Sequence, residues 1–422
     1  MSLVPDYRAL LLLLALGSTA AADEAQQQVD EVRARVVPLV ERVLGDPFPN
    51  PVPVFVLERD AFVKRAGVMP THARAEARRA LWVRLGLISG DPVVRANAEK
   101  ELAGPAGFHD RREKCIYVAA ECPAFARQHV VSHELIHAHR DAMGLYDKWP
   151  ENWSDAEIAF RCAAEGDAQF WAAAVLGSEA HGAKKEALDA AARSALSSAW
   201  VWALPSPSRE SYALVALQEA TYGQGWRFAA RVHAHGGREA LDAALREPPT
   251  STEQILHPEK YLGRVKDEPV RFGEADVVSV LGAEWTQVAT DDLGELLLRI
   301  FFGRALGAER GPGVAEGWDG CRFQLFSREG RVPLLVLMTA WDSDHDAAVF
   351  AGAWCDWAGR RDGKPYAVHT KPGVAGAMRT VHTKAGLVTT VRRGTEVMVV
   401  DGVVGENQVD ILRALWRASR KP

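Results

Sequence analysis

Residues 133–137 read His-Glu-Leu-Ile-His, and this spacing constrains the chain more than any other feature of its sequence. On a helix, residues i and i+4 lie on one face, so His133 and His137 can approach one metal ion together. Glu134 follows His133 by about 100° around the helix axis and borders the same face. Two imidazoles suit zinc, and a neighbouring carboxylate can act on a zinc-bound water. The segment therefore predicts a helix with two metal ligands and a general base.

The residues around this pentapeptide favour a buried helix over the alternative, a helix whose histidines are solvated or cap its end. Val130 and Val131 precede the pentapeptide, and Leu135 and Ile136 lie within it. Such an apolar setting is typical of a helix in a protein core.

A hydrolytic zinc site needs a third protein ligand and one open position. Residues 155–176 predict a second, Ala-rich helix, and Glu165 stands in the middle of its apolar stripe. A buried acid is costly unless it is paired or bound to a metal, so we expect Glu165 to be the third ligand. The adjacent Gly166 would let another backbone approach closely. The alternatives are a surface role for this glutamate, or a ligand from His139, Asp141 or Asp167.

Three motifs in order give the chain a specific resemblance to a known family. They are HELIHAHRD at 133–141, EGDA at 165–168 and STEQILHPEKY at 251–261. This order resembles the gluzincin zinc metallopeptidases, the thermolysin-like group, and in particular an exported bacterial branch of that group. The resemblance covers residues 52–261 and implies a mainly helical peptidase domain with a small edge sheet.

The resemblance also implies a chemistry and a set of roles. It implies hydrolysis of peptide bonds in a peptide or protein substrate by a zinc-activated water. Glu134 would be the general base and acid, and Zn²⁺ would be bound by His133, His137 and Glu165. One position departs from the thermolysin pattern, which places an Asp four residues after the glutamate ligand to orient a histidine. This chain has Gln169 there.

Two supporting roles stay open in the sequence. The first is the orientation of a ligand histidine, for which Asp141, one turn beyond His137, is a candidate. The second is the donor that stabilises the oxyanion of the tetrahedral intermediate. Candidates for this donor are His257, Tyr222 and Tyr261, each of which could equally serve packing or a loop hydrogen bond. His257 is preferred because it lies in the third motif.

The beginning of the chain has the pattern of an export signal. Arg8 precedes a short apolar run at 9–16, and the small residues at 20–22 fit a cleavage site. An amphipathic first helix is the alternative, but five consecutive leucines at 10–14 disfavour it. We therefore expect a signal peptide at 1–22 and a periplasmic or extracellular protein.

Composition and length narrow the class of protein further. The 55 acidic and 50 basic residues give a net charge of −5, so nothing indicates a nucleic-acid partner. No apolar run is long enough for a transmembrane helix. The 422 residues predict two domains, a zinc peptidase domain at 23–268 and a C-terminal domain at 269–422. The oligomeric state is not predicted.

The five cysteines permit disulfides if the protein is exported. Cys115 and Cys122 flank a short segment and could pair, and Cys321 could pair with Cys355. Cys162 is then expected as a buried thiol. The alternative is that all five are free.

The pattern of apolar residues predicts an α+β fold for the whole chain. In the first half we expect strands at 53–57 and 108–118, with 115–118 at the edge of the cleft or inside the sheet, and a helix at 208–246 broken at 222–226. From about residue 270 the order β-α-β-β-α-β-β-α predicts an antiparallel α+β sandwich, with ferredoxin-like topology as a candidate. Its expected elements are a strand at 277–286, helices at 291–306, 344–358 and 408–419, and hairpins at 321–340 and 387–400.

A second functional hypothesis is a binding protein that has lost catalysis. It would hold zinc or no metal, and the C-terminal domain would grip a cell-envelope partner or form a dimer. The intact set of His133, Glu134, His137 and Glu165 favours the enzyme, because a decayed site usually loses one of these groups.

Overall fold

The computed structural model describes most of the chain after the predicted signal peptide. The residues described are 22–66, 73–91, 106–148, 155–181, 188, 212–263, 266–361, 368–373, 376–384, 386–403 and 407–419. The predicted signal peptide lies outside these ranges except for Ala22. Within them, no helix is both long enough and apolar enough to cross a membrane.

The protein is α+β, and its first part is mainly helical with one small sheet. The elements of this part are α1 (Ala22–Leu44), β1 (Val54–Leu57), α2 (Arg59–Ala66), α3 (Ala73–Arg84), β2 (Gly107–Asp110), β3 (Cys115–Ala119), α4 (Ala124–Ala142), α5 (Asp155–His181), α6 (Tyr212–Arg246), α7 (Thr252–Leu256) and α8 (Pro258–Leu262).

The two helices predicted to carry the metal ligands are confirmed as α4 and α5. Helix α4 begins after Pro123, and the chain reverses at Gly144, whose φ of +70° lies in the left-handed region that favours glycine. Val131, Leu135 and Ile136 on α4 are fully buried, as the apolar setting predicted. The pentapeptide therefore sits on a core helix with its two histidines on one face.

The small sheet has the order β1-β3-β2, with β3 parallel to β1 and antiparallel to β2. The expectation that 115–118 forms the edge of the cleft was wrong, because β3 is the central strand. The edge beside α4 is β2 instead. A Cβ atom at Gly107 would lie 2.7 Å from Val130 Cγ1 and 3.3 Å from Glu134 Cγ. Glycine at this position therefore lets the strand lie directly against the helix that carries Glu134.

Helices α5 and α6 cross in direct backbone contact, as Gly166 predicted. A Cβ atom at Gly166 would overlap the backbone of Gly225, and one at Gly225 would overlap the carbonyl of Cys162. The predicted break at 222–226 was wrong, because these residues continue α6. The helix bends instead at Gly236–Gly237, where Gly237 has a φ of +65°. Gly225 thus serves helix contact rather than chain reversal.

The second part of the chain is built on one antiparallel sheet. Its elements are α9 (Val278–Leu281), β4 (Thr286–Asp292), α10 (Glu295–Leu306), a 3₁₀ turn (Pro312–Ala315), β5 (Trp318–Ser327), β6 (Leu334–Trp341), α11 (Asp344–Arg360), β7 (Val368–Gly373), β8 (Gly376–Thr383), β9 (Gly386–Arg393), β10 (Glu396–Val403) and α12 (Gln408–Ala418). The predicted hairpins are confirmed as β5–β6 and β9–β10, and the helices predicted at 344–358 and 408–419 as α11 and α12.

The sheet order is β4-β5-β6-β10-β9-β8-β7, and all neighbouring strands are antiparallel. The ferredoxin-like candidate was wrong, since that topology inserts another strand between two strands joined by a helix. Here β4 and β5, which are joined by α10, are direct antiparallel neighbours. Two strands, β7 and β8, had been missed. The strand predicted at 277–286 was also wrong, because 278–281 is a helical turn and the strand begins at Thr286.

The two parts share one buried core. A continuous apolar cluster runs from α1, α4, α5 and α6 to α10 and α11 and one face of the large sheet, while α12 and the segment 272–281 cover the other face. A polar link reinforces this contact. Asp155 accepts hydrogen bonds from Thr252 N and Oγ1, both at 2.7 Å, and Thr252 Oγ1 accepts one from Leu296 N at 3.1 Å. The start of the ligand helix α5 is therefore tied to the start of α10.

All five cysteines are buried free thiols. The two disulfides considered from the sequence are not formed, and the alternative of five free cysteines is confirmed. Cys162 is fully buried, as expected for a residue of the helix contact between α5 and α6.

Candidate metal centre

Three side chains from α4 and α5 bring their ligand atoms to one point. His133 Nε2 lies 3.0 Å from Glu165 Oε2 and 3.0 Å from His137 Nε2, and His137 Nε2 lies 3.3 Å from Glu165 Oε2. Tetrahedral zinc with bonds of about 2.0–2.1 Å holds its ligand atoms about 3.3 Å apart. The spacing and the chemistry of the three donors therefore fit zinc, and these residues form one of the two groups among the described residues that could hold a metal ion.

The group faces solvent on one side. The side chains are 8% exposed for His133, 13% for His137 and 20% for Glu165. A structural zinc site usually has four protein ligands and is closed, whereas a catalytic site has three and stays accessible. Partial exposure of a three-residue set therefore favours the catalytic type.

A buried ion-pair network at the back of α4 fixes the two ligand helices to each other. Arg140 is fully buried and donates to Asp167 from Nε at 2.8 Å and from Nη2 at 3.2 Å. Trp171 Nε1 donates to the same carboxylate at 2.8 Å, and Asp242 of α6 pairs with Arg140 Nη1 at 3.0 Å. Asp167, considered as a metal ligand, is an anchor between helices instead. Removing one partner of such a buried pair typically costs about 3–5 kcal/mol.

His139, a second alternative ligand, also lies away from the site. Its Nε2 is 3.3 Å from the carbonyl oxygen of Asp46, and its ring meets Phe48 edge to face. Burial lowers the pKa of His139 to about 4, so it is neutral at physiological pH. It therefore belongs to the contact of α4 with the end of α1.

Charge within the cluster is strongly coupled. Burial disfavours ionisation of Glu165, but the charge of His137 and hydrogen bonds from both imidazoles outweigh it and hold the pKa of this carboxyl well below its usual range. Burial likewise disfavours protonation of His137, but the Glu165 carboxylate raises its pKa to about 9. Without metal, the pair is an imidazolium and a carboxylate. Metal binding must then displace the proton on His137.

Glu134 is buried beside the ligand histidines. Burial raises the pKa of its carboxyl, while the nearby histidines and a hydrogen bond from the backbone N–H of His109 act in the opposite direction. A raised pKa brings a carboxylate closer to the range in which it can both accept and return a proton. The β2 strand thus supplies the hydrogen bond that orients the predicted general base.

The side chain in contact with Nδ1 of His137 is that of Tyr146, which the sequence had not indicated. Tyr146 Oη lies 2.8 Å from His137 Nδ1. Asp141, the expected candidate, accepts hydrogen bonds from Lys114 Nζ at 2.7 Å and from Arg111 Nε at 3.0 Å instead. Gln169, which stands where the thermolysin pattern has Asp, contacts His129 Nε2 at 3.2 Å.

The three candidates for the oxyanion donor lie in different surroundings. His257 Nε2 is 3.2 Å from Glu295 and 3.4 Å from Arg299 Nη2, both on α10, and its Nδ1 is 3.7 Å from Glu259. Within the described part of the chain, none of these contacts joins it to the ligand cluster. Tyr261 Oη donates to the carbonyl of Glu247 at 2.8 Å. The ring of Tyr222 lies with its centroid 6.0 Å from that of His133. The preference for His257 thus finds no support in these contacts, and Tyr222 is the candidate beside the cluster.

A second acidic group surrounds Lys260 of the third motif. Lys260 Nζ lies 2.6 Å from Glu253, 3.0 Å from Asp267 and 2.7 Å from Asp342. The ammonium group occupies the point where the three carboxylates meet. This motif therefore joins α7 and α8 to the second part of the chain by an ion pair.

Comparison with known proteins assigns no activity. Residues 265–413 match a family described only as a domain of unknown function, DUF8575. The match covers about the predicted C-terminal domain and does not include the ligand helices. No curated protein and no solved structure matches the chain.

Proposed function

We propose that this protein is an exported, zinc-dependent metallopeptidase of the gluzincin type. The observation that carries the proposal is the convergence of His133 Nε2, His137 Nε2 and Glu165 Oε2 within 3.0–3.3 Å of one another. Ligands from two helices at this spacing, with a buried carboxylate next to them, match the set that metal-assisted peptide hydrolysis requires.

In this proposal the metal, the general base, the oxyanion donor and the substrate-binding strand have separate roles. Bound zinc would polarise the scissile carbonyl and lower the pKa of the attacking water. Glu134 accepts the proton of that water and later donates it to the leaving amine. The hydroxyl of Tyr222, rather than the ring of His257, donates a hydrogen bond to the oxyanion. The edge strand β2 offers backbone groups to an extended peptide beside Glu134.

The first prediction concerns Glu134. Changing Glu134→Gln should leave zinc binding at one ion per chain, because Glu134 is not a ligand, and should lower kcat by at least about 100-fold, because general acid–base catalysis contributes about 10²–10⁴-fold. Metal content by elemental analysis and chelator-sensitive digestion of casein measure the two quantities.

Two outcomes decide between the functional hypotheses. Hydrolysis by Glu134→Gln at the wild-type rate would refute the mechanism. Zinc at one per chain without cleavage by the wild type, of casein or of a diverse peptide library, would favour the binding protein that has lost catalysis.

A further inference from the structure

The turn after α4 returns the chain to the metal centre. Met143 and Gly144 end the helix with hydrogen bonds to His139 O and Asp141 O, and Leu145 N donates to Arg140 O at 3.0 Å. Gly144 adopts a φ of +70°, which a residue with a side chain rarely adopts. As a result Tyr146, which is 2% exposed, lies under the last turn of α4 with its hydroxyl against His137.

We propose that Tyr146 is the positioning residue that fixes His137 as a metal ligand, an inference that rests on the proposed function. The contact is short, 2.8 Å between Tyr146 Oη and His137 Nδ1. The other ring nitrogen, Nε2, faces His133 and Glu165. A metal on Nε2 requires that nitrogen to carry no proton, so Nδ1 holds the proton and donates it to the phenol oxygen. Tyr146 thus accepts this hydrogen bond and fixes the ring orientation that metal binding needs.

The ring of Tyr146 contacts both a phenylalanine and an arginine. Phe160 of α5 meets the ring edge to face at a centroid distance of 5.9 Å, and the guanidinium of Arg111 lies 5.7 Å from the ring centroid. Arg111 also donates from Nη2 to the carbonyl oxygen of Tyr146 at 3.3 Å and from Nε to Asp141 at 3.0 Å. Asp141 thus acts on the site indirectly, because it binds Arg111, which in turn binds Tyr146.

The assignment accounts for the departure at Gln169. The thermolysin pattern uses a carboxylate on the ligand helix to orient a histidine, and here that position contacts His129. The Nδ1 atom of His133 has no hydrogen-bond partner within the described part of the chain. Orientation of the ligand imidazoles by hydrogen bonding therefore falls on Tyr146, a neutral group, acting on His137.

The test compares Tyr146→Phe with Tyr261→Phe in the full chain. Both changes remove one buried phenol hydroxyl that makes a 2.8 Å contact, but that of Tyr261 goes to a backbone carbonyl away from the cluster. Competition with a chromophoric zinc chelator should show a 10–100-fold weaker zinc affinity for Tyr146→Phe and an unchanged affinity for Tyr261→Phe. Wild-type zinc affinity in Tyr146→Phe would overturn the inference.

A second measurement on the wild type keeps the inference testable if the variant fails to fold. In the zinc-loaded protein, NMR of the ¹⁵N-labelled histidine rings should show the Nδ1 proton of His137 protected from exchange with solvent by its hydrogen bond to Tyr146. Rapid exchange of that proton would overturn the assignment. Absence of zinc binding by the wild type would instead refute the proposed function, so the two failures are distinct. The spectrum of the Co²⁺-loaded protein should also change in Tyr146→Phe and not in Tyr261→Phe.

Discussion

At the scale of single residues, the proposed metal centre is preorganised by a buried ion pair. His137 and Glu165 each lose hydration in the site, and the charge of each offsets much of this cost for the other. The carboxylate stays ionised and the imidazole stays protonated until a cation replaces the proton. The same electrostatics that holds the side chains together without metal therefore makes metal binding sensitive to pH.

This coupling predicts proton release on zinc binding. Because the pKa of His137 is raised to about 9, the imidazole is protonated at pH 6.5, and binding of zinc should release about one proton. Zinc affinity should accordingly rise about tenfold per pH unit between pH 6 and 8 and level off above about 9. Calorimetric titrations in buffers of different ionisation enthalpy measure the proton count.

Glu165→Gln provides the control for this experiment. Without the carboxylate, burial lowers the pKa of His137, so the proton release should shrink together with the affinity. Release of no proton by the wild type at pH 6.5 would contradict the charge assignment.

At the scale of elements, the geometry of the site depends on how closely α5 lies against α6. Gly166 directly follows the ligand Glu165, and its backbone touches that of Gly225. Arg140 and Asp167 hold α4 to α5 one residue further along. The position of Glu165 relative to the two histidines is therefore set by two contacts on neighbouring residues of α5, one between backbones and one ionic.

Changing Gly166→Ala should separate α5 from α6. The new methyl group would overlap backbone atoms, which cannot move aside as a side chain can, so we expect a loss of about 1–3 kcal/mol or more in the free energy of unfolding. Zinc affinity should fall as well, because Glu165 moves with the helix. Urea unfolding and chelator competition measure the two effects. Gly313→Ala is the matched control, since a Cβ atom there would meet nothing within 4 Å. Equal stability of both variants would contradict the contact.

How much of the site could be predicted from the sequence depends on the range of each contact. His133, Glu134 and His137 lie on one helix, and their spacing alone predicts a shared face. Glu165 was predictable because an acid in an Ala-rich stripe needs a partner. The role of Tyr146 was not predictable, because its contact with His137 depends on the turn at Gly144. No regular helix or strand spacing predicts this contact.

For the fold as well, local sequence patterns predicted the elements but not the contacts between distant segments. Helices and hairpins followed from local periodicity, whereas the central place of β3 and the strands β7 and β8 did not. The order of strands is set by contacts between distant segments, and a strand such as β7, which includes Pro372 and ends at Gly373, lacks the usual local pattern. Likewise, no local pattern reveals that Lys260 of the third motif pairs with Asp342.

At the scale of the whole molecule, the first part of the chain depends on the second for its core. Leu296, Phe301 and Phe302 of α10 are fully buried in the cluster that also contains the residues of α5 and α6. Arg84 of α3 reaches the buried carboxylate of Asp401 on β10 and donates from Nε to the carbonyl of Pro333 at 2.9 Å. The first part of the chain, which carries the ligand helices, is thus stabilised by apolar packing and polar contacts with the second part.

This dependence predicts that residues 23–268 will not fold alone into a zinc-binding protein. Removal of α10 and the large sheet would expose the shared apolar cluster and leave Asp155 and Thr252 without Leu296. Circular dichroism and zinc titration of the fragment should show poor order and weak binding. Adding the fragment 265–422 should restore the ordered structure and the zinc affinity. Full zinc affinity and a cooperative unfolding transition in the isolated fragment would contradict the shared core.

The central claim, that one zinc ion is held by His133, His137 and Glu165, is tested most directly by anomalous diffraction at the zinc edge from crystals of the full chain grown with one equivalent of zinc. The account predicts a single strong peak within about 2.2 Å of His133 Nε2, His137 Nε2 and a Glu165 carboxylate oxygen. A peak at Glu253, Asp267 and Asp342, or at a cysteine, with none between the two helices, would contradict it.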